Sequence, residues 1–216
     1  MCICFGSFTD VEDTAVCSVY EVFLENKRQM DFRDDLCHGI SSFCYSDAAS
    51  TDRNPGIKID IIGKFGVLTG LYNRNSYDEW VKEKQQADGT LIVTFDLNNL
   101  KHCNDTMGHA MGDSYIKNAA EIISRVFGSH GRCYRIGGDE FCTVIQNRGG
   151  FDLEERLKEL ELEQQEFNQS HTIPKIQIAY GFAGFDAEKD MDFEAARSRA
   201  DVKMYEKKRA LKGGGR

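Results

Sequence analysis

The stretch Arg135-Ile136-Gly137-Gly138-Asp139-Glu140-Phe141 constrains this chain more than any other. Two adjacent glycines followed by two carboxylates, flanked by Cys133–Ile136 and Phe141–Ile145, read as a β-hairpin whose tip carries acids. The tip is expected to need positive φ, which glycine adopts without a Cβ clash. A further acid, Asp96, follows the apolar run Leu91-Ile92-Val93-Thr94-Phe95, which reads as a buried strand. A carboxylate at a strand end, facing a second one on a hairpin tip, is a good way to hold a hard divalent cation. Such a cation in turn holds a nucleotide triphosphate.

The pattern around these two segments alternates between helices and strands. Asn75–Ala87 reads as a polar helix with Tyr77, Trp80 and Val81 on one face, and Met111–Phe127 as an apolar helix closed by Gly128. Asp152–Phe167 reads as an amphipathic helix with Asp152 and Glu155 in a capping-box variant. Ile176–Phe185 is expected to be a strand, and Phe193–Ala210 a last helix with Ala196, Ala200 and Met204 along one face. Helices alternating with short strands, one pair of them a hairpin, give an α+β fold or mixed α/β sandwich.

Residues 47–56 are rich in Ser, Asp, Asn, Pro and Gly and read as a linker, so the chain divides near residue 60. Residues 1–60 hold short apolar patches such as Val16–Leu24 without a core pattern, and fit a stalk or a sensor remnant. Residues 61–216 carry the pattern above.

Net charge is −8, which argues against nucleic-acid polymers and acidic membranes as partners, since both reward basic patches. No apolar run approaches a membrane span, and Met1–Gly6 lacks the basic and long apolar regions of a signal peptide. The chain is therefore expected to be cytoplasmic and its eight cysteines reduced. Cys103, Cys133 and Cys142 fall inside periodic segments and read as core residues. Cys2, Cys4, Cys17, Cys37, Cys44 and His38 follow no regular zinc spacing.

Beyond Asp96 and Asp139, several residues are candidates for a site. Asn98-Asn99-Leu100-Lys101 reads as a turn offering backbone N–H groups and a lysine to phosphate, or as an ordinary solvated loop. Asn104 and Asp113 suit guanine, whose N1–H and 2-amino group donate and whose O6 accepts. Equally, Asn104 fits a turn residue and Asp113 a helix-start acid favoured by the dipole. Asp105 and His109 fit helix-entry positions. Glu140 fits either a proton acceptor or a brace for a neighbour.

From Gly66 to Lys212 the chain resembles the GGDEF family of diguanylate cyclases. The matching segments are Leu68-Thr69-Gly70-Leu71-Tyr72-Asn73-Arg74, Asp96–Lys101, Asn104-Asp105, Gly108-His109 and Gly112-Asp113. Arg135–Phe141, Ala200-Asp201, Tyr205 and Lys208 follow, so the match is far more specific than one short motif.

The resemblance implies a palm-like central sheet flanked by helices, as in nucleotide cyclases, with the signature on a β-hairpin. It implies that residues 61–216 form a diguanylate cyclase domain, and that two GTP-loaded copies meet as a homodimer to make cyclic di-GMP and pyrophosphate. It assigns Mg²⁺, or Mn²⁺ in its stead, to Asp96, Asp139 and the Leu97 carbonyl. Asp139, Glu140 and Lys101 take catalytic positions. Asn104 and Asp113 read guanine, Asn98, Leu100 and His109 occupy further substrate-binding positions, and Lys208 and Lys212 neutralise phosphates. A catalytically silent GTP-binding domain that signals through protein partners is the alternative, and a generic metal-dependent nucleotidyl transferase a third reading.

Departures from the family pattern carry expectations of their own. Gly66 stands in place of an acid, Asn98 in place of an acid, Leu100 in place of an aromatic, and Lys212 in place of an arginine. An Arg-x-x-Asp product-binding motif is replaced by Gly128-Ser129-His130-Gly131, so no feedback inhibition is expected through that place. Asp113 is retained, which implies selectivity for GTP over ATP.

Overall fold

The computed structural model of the protein describes residues 63–83, 89–146, 149–170 and 175–213. The expectations for residues 1–60, including the linker and the N-terminal cysteines, lie outside the described residues. In chain order the elements are α1 (Arg74–Glu83), β1 (Leu91–Leu97), α2 (Leu100–Met107), α3 (His109–Phe127), β2 (Arg132–Arg135), β3 (Glu140–Ile145), α4 (Leu153–Ser170), β4 (Ile178–Gly184) and α5 (Phe193–Gly213).

The four strands form one antiparallel sheet in the order β2-β3-β1-β4. With α2 and α3 between β1 and β2, and α4 between β3 and β4, this is the split βαββαβ arrangement and an α+β fold. Every residue of β1 is buried, because β1 is central and both faces of the sheet are covered. Alternation divides its side chains between two cores. Leu91, Val93, Phe95 and Leu97 pack with Tyr115, Ile116, Ala119, Ile123 and Phe127 of α3. Ile92 packs on the other face, with Tyr77 and Trp80 of α1 and Phe193 and Ala196 of α5. Each such apolar side chain contributes about 1.5–3 kcal/mol on burial. Cys103, Cys133 and Cys142 are buried free thiols, as their periodic settings imply.

The Leu68–Tyr72 segment folds back as a turn with Gly70 at φ 68°, so that Tyr72 lies along β2. The Tyr72 N–H donates to the Cys133 carbonyl (3.1 Å), and the Arg135 N–H to the Tyr72 carbonyl (2.8 Å). The free edge of the signature hairpin is thereby covered.

Two local readings are corrected and one is refined. Leu100 and Lys101, read as part of a turn or loop, and Asn104, read as a possible turn residue, belong to helix α2. Asn99 turns the corner out of β1 in a left-handed conformation (φ 65°), Leu100 and Cys103 bury one helix face, and Gly108 (φ 83°) breaks the helix before α3. Asn104 is therefore helical. Second, Gly128 does cap α3, its N–H donating to the Ser124 carbonyl (2.8 Å), but in a right-handed conformation (φ −63°); the chain continues its turn through His130 and Gly131, whose N–H groups both donate to the Phe127 carbonyl. Third, β4 starts at Ile178 rather than Ile176, because side chains of α4 take the preceding backbone. Asn168 Oδ1 accepts from the Ile176 N–H and Gln164 Oε1 from the Ile178 N–H, each at 2.7 Å.

Asp152 does cap α4, accepting from the Glu155 N–H at 3.1 Å. A stronger polar anchor joins β4 to α5. Asp190, its side chain 2% exposed, accepts from Nε (3.0 Å) and Nη2 of Arg199 and from the Asp186 N–H (2.9 Å). Arg199 Nη2 also donates to the Gly184 carbonyl at 2.7 Å. The Arg199 guanidinium holds the Asp190 carboxyl below the usual carboxylate range. A depressed folded value contributes stability in full above the unfolded pKa of about 4, and loses it as pH falls through the folded value. Asp190→Asn is expected to cost about 2 kcal/mol at neutral pH, with the gap to the parent closing below about pH 4. Urea midpoints across that range check this; equal midpoints at neutral pH would refute it.

Candidate active site

Asp96 is the penultimate residue of β1, opposite Glu140 of β3 and Ala179 of β4. The hairpin tip comes back onto the end of β1, where the Leu97 N–H donates to the Asp139 carbonyl at 3.0 Å. Asp96 and Asp139, forty-three residues apart in sequence (139 − 96), are thus held at one end of the sheet by strand pairing. Asp96 is 5% exposed, and Lys208 of α5 forms an ion pair with its Oδ1.

The tip is not built on positive φ. Neither Gly137 nor Gly138 is left-handed. Gly137 allows a close approach, since a Cβ there would lie 2.8 Å from Oε2 of Glu140, whose side chain folds over it. At Gly138 the space around a Cβ is open. The tip's shape comes instead from hydrogen bonds. The Glu140 carbonyl accepts from the Ile136 and Gly137 N–H groups (3.0 and 3.2 Å). Arg135 reaches forward, Nε donating to the Gly137 carbonyl (3.2 Å) and Nη2 to the Gly138 carbonyl (2.9 Å). Half-burial lowers the Arg135 pKa from its ordinary value, opposed by the charges of Asp113 and Asp139. Arg135 is therefore within electrostatic reach of both the Asp113 carboxylate of α3 and that of the tip.

The corner after β1 is pinned from inside the core. The Tyr115 hydroxyl donates to the Asn98 carbonyl (2.8 Å) and accepts from the Gln177 N–H (2.9 Å), while the Asn98 N–H donates to the Gln177 carbonyl (2.8 Å). Burial pushes the Tyr115 pKa up to about 12, so the hydroxyl stays protonated and able to donate. Asn98 is 1% exposed, and Leu100 is buried beside it. Both amide ends of Asn98 lack a hydrogen-bond partner in the structure.

Lys101 and His109 stand exposed in the first turns of α2 and α3. Asn104 is half-buried on α2, and Asp113 is exposed on α3. Lys212 falls in the last turn of α5. The structure thus joins Asp96, Leu97, Asp139 and Lys208 through strand pairing and an ion pair, and brings Asp113 and Asp139 within electrostatic reach of Arg135. Among the described residues, Lys101 and His109 make no ion pair or hydrogen bond with the others.

Among the described residues no three His, Cys, Asp or Glu side chains gather as a closed metal centre. Two carboxylates and a carbonyl are nevertheless hard oxygen donors, a set that suits Mg²⁺ when phosphate oxygens complete it. The Lys208 ammonium on Asp96 marks that carboxylate as already facing a cation. The residues present fit the metal.

A family model described as "Diguanylate cyclase, GGDEF domain" matches residues 65–213. The chain belongs to the GGDEF family. Diguanylate cyclase DgcS of Shewanella oneidensis is 31% identical over 153 residues, which are 67% of this GGDEF chain and 49% of that protein. Probable diguanylate cyclase DgcJ of Escherichia coli is 28% identical over 147 residues, 64% of this chain and 28% of that protein. The chain thus spans half or less of the length of these relatives. The GGDEF domain of DgcB from Caulobacter crescentus, solved in complex with c-di-GMP, is 25% identical with a TM-score of 0.56, covering 68% of this chain and 88% of that one. A longer DgcB structure with its coiled coil, 23% identical, has the same fold at a TM-score of 0.60, covering 82% and 96%. No helix among the described residues of this GGDEF chain is long and apolar enough to cross a membrane.

Two contributors to the site have no assigned role in the sequence reading. Tyr115 sits in an apolar helical stripe, and its signal is that a buried tyrosine hydroxyl needs a partner. Arg135 directly precedes the tip, and its signal is a cation two residues before a Gly-Gly turn whose carbonyls need donors.

Proposed function

We propose that this GGDEF chain is a diguanylate cyclase. The observation that carries the reading is the meeting of Asp96 and Asp139 at the end of β1 with Lys208 alongside. The 31% identity to DgcS supports it. In the proposed reaction, the 3′-hydroxyl of one GTP attacks the α-phosphorus of a second. A P–O bond forms as the bond to pyrophosphate breaks, and the hydroxyl proton departs. The reciprocal step closes the cyclic dinucleotide and releases a second pyrophosphate.

Asp96, Asp139 and the Leu97 carbonyl would hold Mg²⁺, or Mn²⁺ in its stead, which neutralises phosphate charge when bound. The chain's own contribution is positioning. Asp113 accepts from the guanine N1–H and 2-amino group, and Asn104 pairs with the same base. Lys208 exchanges the Asp96 carboxylate for phosphate oxygens, and Lys101 and Lys212 add charge. Asn98 and Leu100 shape the corner from beneath, His109 flanks the base pocket, and Glu140 completes the signature beside Asp139. Retention of Asp113 supports selectivity for GTP. The turn at residues 128–131 offers neither Arg nor Asp, which supports the absence of product inhibition there.

One active site contributes half of a symmetric reaction, so two chains must meet. With GTP and Mg²⁺, cyclic di-GMP formed per molecule is expected to rise with enzyme concentration, read by chromatography of the nucleotides over a hundredfold dilution range (about two decades, enough to cross a weak dimer's dissociation). A constant rate per molecule would overturn the half-site arrangement. GTP binding without product at any concentration would give the lead to a silent GTP-binding domain.

A further inference from the structure

We propose that Gly112 sets guanine selectivity by leaving the space that the Asn104 amide occupies, an inference that rests on the guanine-reading role given to Asn104 above. Gly112 closes the first turn of α3 without positive φ, where alanine would be favoured by about 1 kcal/mol. A glycine at such a place points to a packing reason. Here the reason is specific. A Cβ on Gly112 would stand 1.8 Å from Oδ1, 2.8 Å from Cγ and 3.4 Å from Nδ2 of Asn104, and no other heavy atom ranks among its three nearest. The closest crowding is with the far end of one side chain, so a methyl group there is expected to displace the amide and leave both helices in place.

The geometry also says which way the amide faces. Its oxygen rests against α3 and its nitrogen lies farther off. Among the described residues the Asn104 side chain makes no hydrogen bond within the protein, while its backbone carbonyl accepts from the Gly108 N–H at 2.9 Å as the α2–α3 corner turns. The amide is thus held by shape, with its donor end available. A donor beside the Asp113 carboxylate matches guanine, whose O6 accepts while N1–H and the 2-amino group donate. Adenine presents an amino donor and a ring acceptor in the corresponding places, and meets both groups with the wrong polarity. Gly112 touches no nucleotide in this scheme. It is a positioning residue that acts through Asn104.

The test uses the full chain and three variants: Gly112→Ala, Asn104→Ala and the pair. The Asn104 side-chain NH₂ resonances, identified by their loss in Asn104→Ala, are expected to move in ligand-free Gly112→Ala, with the melting temperature unchanged or slightly raised. GTP binding measured by calorimetry is expected to weaken about tenfold, the worth of one good hydrogen bond, with ATP binding unaltered. In the Asn104→Ala background, Gly112→Ala should add less than about twofold, because the two residues act as one unit. Unmoved NH₂ resonances would overturn the proposal, as would a full tenfold loss when Asn104 is already absent. Equal GTP affinity of the parent and Asn104→Ala would instead remove the guanine-reading role itself and the selectivity claim with it. The resonance shift in ligand-free protein still reports separately whether Gly112 places the amide.

Discussion

Alanine at position 139 is expected to abolish cyclic di-GMP formation, lowering turnover by about 10³-fold or more while the protein keeps its fold. Removing one carboxylate from a divalent-metal site forfeits several kcal/mol of transition-state charge stabilisation, and each 1.36 kcal/mol is tenfold in rate. The fold survives because what ties the tip to β1 is the Asp139 backbone carbonyl, bonded to the Leu97 N–H at 3.0 Å, which alanine also possesses. The Arg135 hydrogen bonds likewise go to the carbonyls of Gly137 and Gly138. Circular dichroism and the melting temperature should therefore match the parent, while chromatography of a GTP incubation shows no product. Turnover within tenfold of the parent would remove Asp139 from the metal set.

Gly181→Val is expected to be the most destabilising single change in the sheet. Gly181 faces α5 from the middle of β4, opposite Thr94 of β1. A Cβ there would stand 2.1 Å from the Ala200 carbonyl oxygen and 2.2 Å from the Met204 nitrogen. Both are backbone atoms of a helix, so no side-chain rotation relieves the clash. The helix must lift from the sheet, and overpacking of this kind costs about 3 kcal/mol or more. For a chain of this size that lowers the melting temperature by roughly 10 °C. A melting temperature within about 2 °C of the parent would show that α5 does not rest on the strand as described. Turnover should fall as well, because Lys208 rides on the same helix as Ala200 and Met204.

Much of this fold is legible in the sequence because its signals are periodic. Leu91–Phe95 is a largely apolar run followed by an acid, and it forms most of the central strand Leu91–Leu97. Tyr77 and Trp80, one helical turn apart, both reach the core. What is hidden in the sequence depends on approach distance or on a short helix without a long stripe. Helix α2 spans only Leu100–Met107, and its two buried residues are too few to register as amphipathic. At the tip the conformational freedom of Gly137 is less important than its missing Cβ, and only the folded Glu140 side chain reveals this. Gly112 and Gly181 read as weak points in a helix and a strand until the neighbouring atoms are placed. For the site, Asp96 and Asp139 are legible as a pair because one lies at the end of a recognisable strand and the other on the tip of a recognisable hairpin. Arg135 and Tyr115 are not, since their work is to satisfy backbone carbonyls that have no signature of their own.

The ion pair between Lys208 and Asp96 bears on how the protein rests between substrates. A nearly buried carboxylate without a cation would repel its surroundings and invite water or protonation. Lys208 supplies a tethered counter-charge that never diffuses away, so the empty pocket stays electrically balanced and keeps its shape. Under the proposed function, metal and triphosphate would trade places with this ammonium, Asp96 turning to the metal and Lys208 to the phosphates. On that reading readiness and selectivity would come from the same lysine, because a lone dication or a lone anion satisfies only one side of the exchange.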